Sequence, residues 1–222
     1  MRCATPSRNA ARNSELRRRI AVEAARLISE HGIRDFHLAK RKAAALLHVI
    51  DDANLPRNSE IDLALREHHR LFIGTQQPRH LRFLREAAIA AMDFFQRFEP
   101  RLVGRVLDGT ADQHSAVCLH LFSDTAEEVI ELLDDHVIAY REHDRRQRMR
   151  QHEYVQFPGL SIQRHDVTFD LTLLPRDAIR QPPLDPVDER RQQRASLAEV
   201  RQLLAEDETR QLDSLQDAID RR

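Results

Sequence analysis

"LVGRVLDGTADQHSAVCLHLF", Leu102 to Phe122, is the stretch on which the fold turns. It holds two of the chain's five glycines, between runs of β-type residues. "RLVGRVL" before the polar turn Asp108–Ser115 and "AVCLHLF" after it both read as short strands. A glycine pair ahead of a strand is one way to bring backbone N–H groups close to a phosphate. Glycines in such places also serve simply as turn and close-packing residues.

Upstream of this stretch the pattern is helical. Residues 1–13 read as a polar, disordered tail. Ser14 is a good N-cap for a helix carrying Leu16, Ile20, Ala24, Leu27 and Ile28 as far as Gly32. Leu38–Val49 suggests a second helix, Asp51–Pro56 a loop, and Asn58 or Ser59 the cap of a third helix bearing Ile61, Leu65, Phe72 and Ile73. Pro78 opens a fourth, with Leu81, Leu84, Ala88, Met92 and Phe95 on one face.

Pro100 marks a change of period. Downstream come a helix in "SDTAEEVIELLDDH" capped by Ser123 or Asp124, a strand "VIAYRE", and then "YVQF", a turn at Pro158-Gly159, and "LSIQRH". "VTFDLTLLP" is a last strand, 181–195 a linker, and 196–222 an amphipathic helix with Leu212, Leu215 and Ile219 on its stripe. The pattern predicts an α+β fold: a helical region over 14–77, a small mixed sheet domain over 78–180, and a C-terminal helix that covers the sheet or joins a partner, a second copy included.

The spacing of Gly104, Gly109 and Ser115, with Leu119 after it, resembles the nucleotidyltransferase superfamily over about residues 85–175. That superfamily carries a strand, Gly-Ser, a second glycine, and Ser-Asp-x-Asp-Leu on the next strand. The resemblance implies a nucleotide site at Gly104, Arg105, Gly109, Thr110 and Ser115, and a metal carboxylate at Asp170. Two aspartates one residue apart on a strand point the same way and hold Mg²⁺. Here the serine after the first glycine is Arg105, and the two aspartate positions are Ala116 and Cys118. Alanine offers no ligand and a lone thiol is a soft, poor one for Mg²⁺. Asp108 and Asp112 lie on the intervening loop without a metal-pair spacing. The expectation is therefore a nucleotidyltransferase-like protein that binds a nucleotide or a protein partner without turnover, and that needs Mg²⁺ only if active.

The layout, with "LAKRKAAALL" early and "HSAVCLHLF" in the middle, also resembles a group of short uncharacterised bacterial proteins. Some of these carry a UDP-N-acetylmuramate–alanine ligase label. Such a ligase needs a glycine-rich ATP loop ending in Lys-Thr or Lys-Ser, and neither Lys40 nor Lys42 follows one. Residues 18–44 resemble the opening of TetR-type regulators, a helix-turn-helix alternative, although Asp51-Asp52 places acid where DNA phosphate would lie. A packed helical hairpin is the plainer reading, and a scaffold without ligand is a third.

Arg145, Arg146, Arg148 and Arg150 form the densest basic run, and in an extended strand Arg146, Arg148 and Arg150 share a face and make a phosphate-sized stripe. Twelve histidines show no HExxH spacing, His68-His69 point to different sides of a helix, and His114 and His120 only flank the central turn. No Gly-x-Ser-x-Gly occurs. Net charge is −1, so no global field draws the chain to nucleic acid or membrane. Two cysteines, Cys3 and Cys118, make no disulfide framework, and no window reaches transmembrane length. A cytoplasmic protein is the expectation.

Overall fold

A computed structural model describes residues 8–33, 35–49, 54–72, 76–151 and 153–220. Cys3, residues 51–53, Ile73 and the side chains of His69, Leu212, Leu215 and Ile219 lie outside the described residues. The fold is α+β, as the pattern predicts. By its contacts the chain forms two compact units. One comprises Met1–Gln77, Asp112–His114 and Pro186–Asp188; the other comprises Pro78–Ala111, Ser115–Asp185 and Glu189–Arg222.

In the first unit α1 (Arg8–His31) packs on α2 (Phe36–Leu46) and α3 (Asn58–Phe72). Its core is Ile20, Ala24 and Ile28 from α1, Ala39 and Ala43 from α2, and Ile61 and Leu65 from α3. Helix α1 starts at Arg8, well before the expected cap at Ser14. The added turns are Ala- and Arg-rich, and these residues favour helix. Helix α2 starts two residues ahead of Leu38 because Asp35 caps it, its Oδ1 accepting from the N–H groups of His37 (2.7 Å) and Leu38 (3.3 Å).

The second unit contains α4 (Gln76–Phe94), β1 (Arg101–Val103), α5 (Arg105–Asp108), β2 (Val117–Phe122), α6 (Glu127–Asp135), β3 (Tyr140–Arg150), β4 (Glu153–Arg164), β5 (Val167–Leu174) and α7 (Leu197–Asp220). Single 3₁₀ turns follow α4 and β5. The five strands form one mixed sheet in the order β1-β2-β5-β4-β3, in which only β2 and β5 run parallel. Among the described residues no helix is long and apolar enough to cross a membrane.

Period-two alternation gives this sheet two different faces. Leu102, Leu119, Leu171 and Leu160 are register partners on one face, buried against Leu84, Ala88, Met92, Val129, Leu133 and Val200 of α4, α6 and α7. Helix α7 is tied to α4 by ion pairs: Arg85 with Asp207, Arg201 with Asp93 at 2.8 Å, and Arg82 with Glu208 at 2.5 Å.

Several local expectations are corrected. "RLVGRVL" is a strand only through Val103. Gly104, at φ +72° and ψ −153°, leaves the strand conformation, and Arg105–Asp108 then close one helical turn. Ser123 extends the sheet by donating its N–H to Leu174 O (2.9 Å), so neither it nor Asp124 caps α6, which begins at Glu127. "VIAYRE" becomes the much longer β3. Pro158-Gly159 does not turn: β4 runs straight through it. The ladder with β5 begins at Gly159, so Pro158 has no β5 partner, and a residue without an N–H is tolerated there. Residues 181–195 are not a free linker. Leu184 bridges to Arg148, and Ala195 exchanges backbone hydrogen bonds with Leu102 at 2.8 and 2.9 Å.

Candidate functional site

The glycine turn is built inward. Gly109 caps α5 in the left-handed region at φ +75°, and the N–H groups of Asp108, Gly109 and Thr110 all donate to carbonyls of Gly104 or Arg105. Buried Arg85 reaches the same turn from α4. Its Nε donates to Val106 O and its Nη2 to Leu107 O, each at 3.1 Å. Thr110 is buried, and Arg105 and Ser115 are half-buried with their own partners. The turn thus satisfies its own backbone, which is what a structural turn requires.

The other face of the sheet holds the chemistry. Two rows of register partners cross it. One is Val103, Cys118, Asp170, Ser161 and Arg141; the next is Arg101, His120, Thr172, Gly159 and His143. Asp170, at 5% exposure, therefore lies opposite Cys118. Its neighbours come from β3. His143 Nε2 stands 3.2 Å from Oδ1, without hydrogen-bond alignment, and Arg145 Nη1 stands 3.2 Å from Oδ2.

His143 and Arg145 are on β3, two strands away, and β4 lies between. Gly159 opens the way: a Cβ there would sit 2.5 Å from His143 Nε2 and 2.8 Å from Cε1. The imidazole crosses β4 in the space a side chain would have filled. A glycine inside a strand is a signal of such close approach, masked here by the Pro158 before it.

Arg194 joins from within the stretch expected to be a linker. Its Nη1 donates to the carbonyls of Ala178 (2.9 Å) and Ile179 (3.2 Å), its guanidinium stacks 5.1 Å from the Phe122 ring centroid, and its Nε donates to His120 Nδ1 at 3.1 Å. That bond leaves Nε2 as the protonated nitrogen of His120. Burial, then Arg194 and Arg145, pushes the His120 pKa down to about 3, so its ring is neutral at ordinary pH. Burial and nearby Arg101 lower Arg194 to about 10. Arg194 Nη2 is buried and has no hydrogen-bond partner among the described residues.

A Mg²⁺ pair does not fit these residues. Ala116 and Cys118 supply no carboxylate, Asp170 is already faced by His143 and by the Arg145 guanidinium, and among the described residues no three His, Cys, Asp or Glu side chains converge as a metal site.

The expected arginine stripe is also redistributed. Arg146 lies over Tyr154 at 4.2 Å, Arg148 pairs with Glu189 at 3.0 Å, and Arg150 pairs with Glu153 at 3.5 Å after a register shift. The three do not present a bare row to a phosphate, and Arg145 faces Asp170 instead.

In the first unit, Lys40 Nζ donates to Pro56 O at 2.8 Å and is turned inward, while α2 ends at Leu46 and α3 begins at Asn58. A helix-turn-helix joins its helices through a turn of about three to four residues. The chain matches no protein-family model, no curated protein and no solved structure.

Proposed function

We propose that this chain binds a nucleotide through direct contacts between arginines and phosphate on the polar face of the sheet, and does not transfer it. The observation that carries this reading is the surroundings of buried Asp170, whose two carboxylate oxygens are faced by His143 Nε2 and Arg145 Nη1, each at 3.2 Å. In the superfamily that the sequence resembles, metals neutralise the triphosphate. Here we read the arginines Arg101, Arg145 and Arg194 as taking over that role.

Arg145 and Arg194 both lie close enough to His120 to lower its pKa, and Arg101 adjoins Arg194, so three guanidinium groups stand near one another here. Arginine's planar fork matches phosphate oxygens, and the buried Nη2 of Arg194 is a donor in want of an acceptor. His120 stays neutral, holds Arg194 Nε and adds no competing acid.

The test is calorimetry and thermal shift with ATP, GTP, ADP and UTP, in Mg²⁺ and in EDTA. Binding is expected in EDTA as well as in Mg²⁺, and Arg194→Ala is expected to weaken it about tenfold, the worth of a charge-assisted hydrogen bond. No binding across the panel sinks the reading. So does Mg²⁺-dependent release of pyrophosphate from any of the nucleotides.

A further inference from the structure

Helix α4 carries two apolar stripes. Leu84, Ala88, Met92 and Phe95 are buried in the core. Phe83, Ala87, Ala90 and Phe94 line a groove of about 570 Å³, walled on the other side by Ile162 and Phe169 from the packed face of the sheet. A helix apolar on so much of its circumference needs a second layer to cover it. Here that second stripe stays partly bare, with Phe83 45% exposed at the mouth.

The size lies within the roughly 300–1,000 Å³ usual for small-molecule sites, and the walls are almost entirely apolar. The polar groups are confined to the lip: Glu86, Arg164 and His165. Glu86 shares Arg82 with Glu208, whereas the exposed Arg164 makes no ion pair or side-chain hydrogen bond among the described residues and is open to a head group. His165 and Asp166 form the β4–β5 turn at φ +47° and +63°, and Asp166 is not among the residues lining the groove. The left-handed pair matches the tight two-residue hairpin and fixes His165 at the lip.

We propose that this groove binds a monoanionic amphipath of the fatty-acid class, its acyl chain along α4 and its carboxylate at Arg164 and His165. Apolar walls select the chain, and the unpaired guanidinium of Arg164 at the lip selects an anionic head over a neutral or cationic one. The site is formed by residues other than those around Asp170, so it stands or falls independently of nucleotide binding.

The experiment is calorimetry on the full chain with octanoate, decanoate, decanol and decylamine. Decanoate is expected to bind more tightly than decanol, and decanol more tightly than decylamine. Lengthening octanoate to decanoate should strengthen binding by up to about fourfold per buried methylene. Ala90→Trp, which fills the groove from an exposed position, should abolish binding, with Ala87→Phe as a second filling variant. Arg164→Glu should weaken decanoate about tenfold and leave decanol unchanged. The proposal is overturned if decanoate does not bind, if decylamine binds as well, if both filling variants bind normally while keeping their melting temperature, or if Arg164→Glu leaves decanoate unaffected. It is equally overturned if the chain is a dimer by sedimentation that Ala90→Trp converts to monomer, since a second copy would then occupy the groove.

Discussion

The same four strands present two unlike surfaces. On the packed face Leu102, Leu119, Leu171 and Leu160 meet side by side and are at most 1% exposed. One residue along each strand, the other face carries Val103, Cys118, Asp170 and Ser161, and next to it Arg101, His120, Thr172 and Gly159. The first face contributes free energy by excluding water from hydrocarbon. The second withdraws charged and polar groups from water, and is compensated only as far as those groups find one another. Stability and specificity are thus separated by a single step in register.

Leu119 and its neighbour His120 offer the sharpest test of that separation. Leu119→Ala should cost about 3 kcal/mol in urea unfolding, as a core leucine does, and should leave ligand binding at the polar face intact. A cost below 1 kcal/mol would mean that the packed face is not the chief source of stability.

His120 should reveal itself through pH. Its folded pKa is lowered to about 3 from 6.5, so below 6.5 the unfolded chain takes up a proton that the folded chain refuses. Its contribution to stability is therefore present above 6.5 and is lost as pH falls toward 3, at up to roughly 1.4 kcal/mol per pH unit. Between pH 7 and pH 5 this amounts to about 2 kcal/mol. His120→Gln should flatten that part of the profile; an unchanged slope would show that other groups cause it.

The smallest effect belongs to Gly159. Gly159→Ala pushes the His143 ring aside and removes its approach to Asp170, at a cost of about 1 kcal/mol. The partly exposed imidazole can move, which keeps the penalty modest. In a double-mutant cycle with Asp170→Asn, the alanine should cost less than it does alone, because the contact is already gone. Strict additivity would deny that the glycine serves this pair.

Much of the packed face was legible in the sequence. "AVCLHLF" and "VTFDLTLL" alternate cleanly, and the apolar positions of α4 repeat at helical spacing, so both layers could be written down in advance. The position of Asp170 could be read too, though its partners could not. His143 and Arg145 reach it only because β4 separates β3 from β5, an ordering that no local spacing encodes. Gly159 was hidden by Pro158, since the Pro-Gly pair reads as a turn. Arg194 was hidden in a polar stretch that looks like a linker until Ala195 pairs with Leu102. Within the basic run, periodicity could not tell which arginine meets an acid across the sheet and which meet Tyr154, Glu189 and Glu153, nor could it show the register shift between Arg148 and Arg150.

The parallel pairing of β2 with β5 also orders events in time. β3, β4 and β5 are joined by short turns and can zip up locally, whereas Val117 must find Phe169 across the whole intervening hairpin and helix. Distant closure is entropically slow, so the meander forms first and β2, bringing β1 with it, docks last. Pulse-labelled hydrogen exchange during refolding should protect amides of β4 and β5 ahead of those in β1. Cys118 and His120 would then meet Asp170 and Thr172 only in the final step, making the polar face the latest part of the molecule to exist.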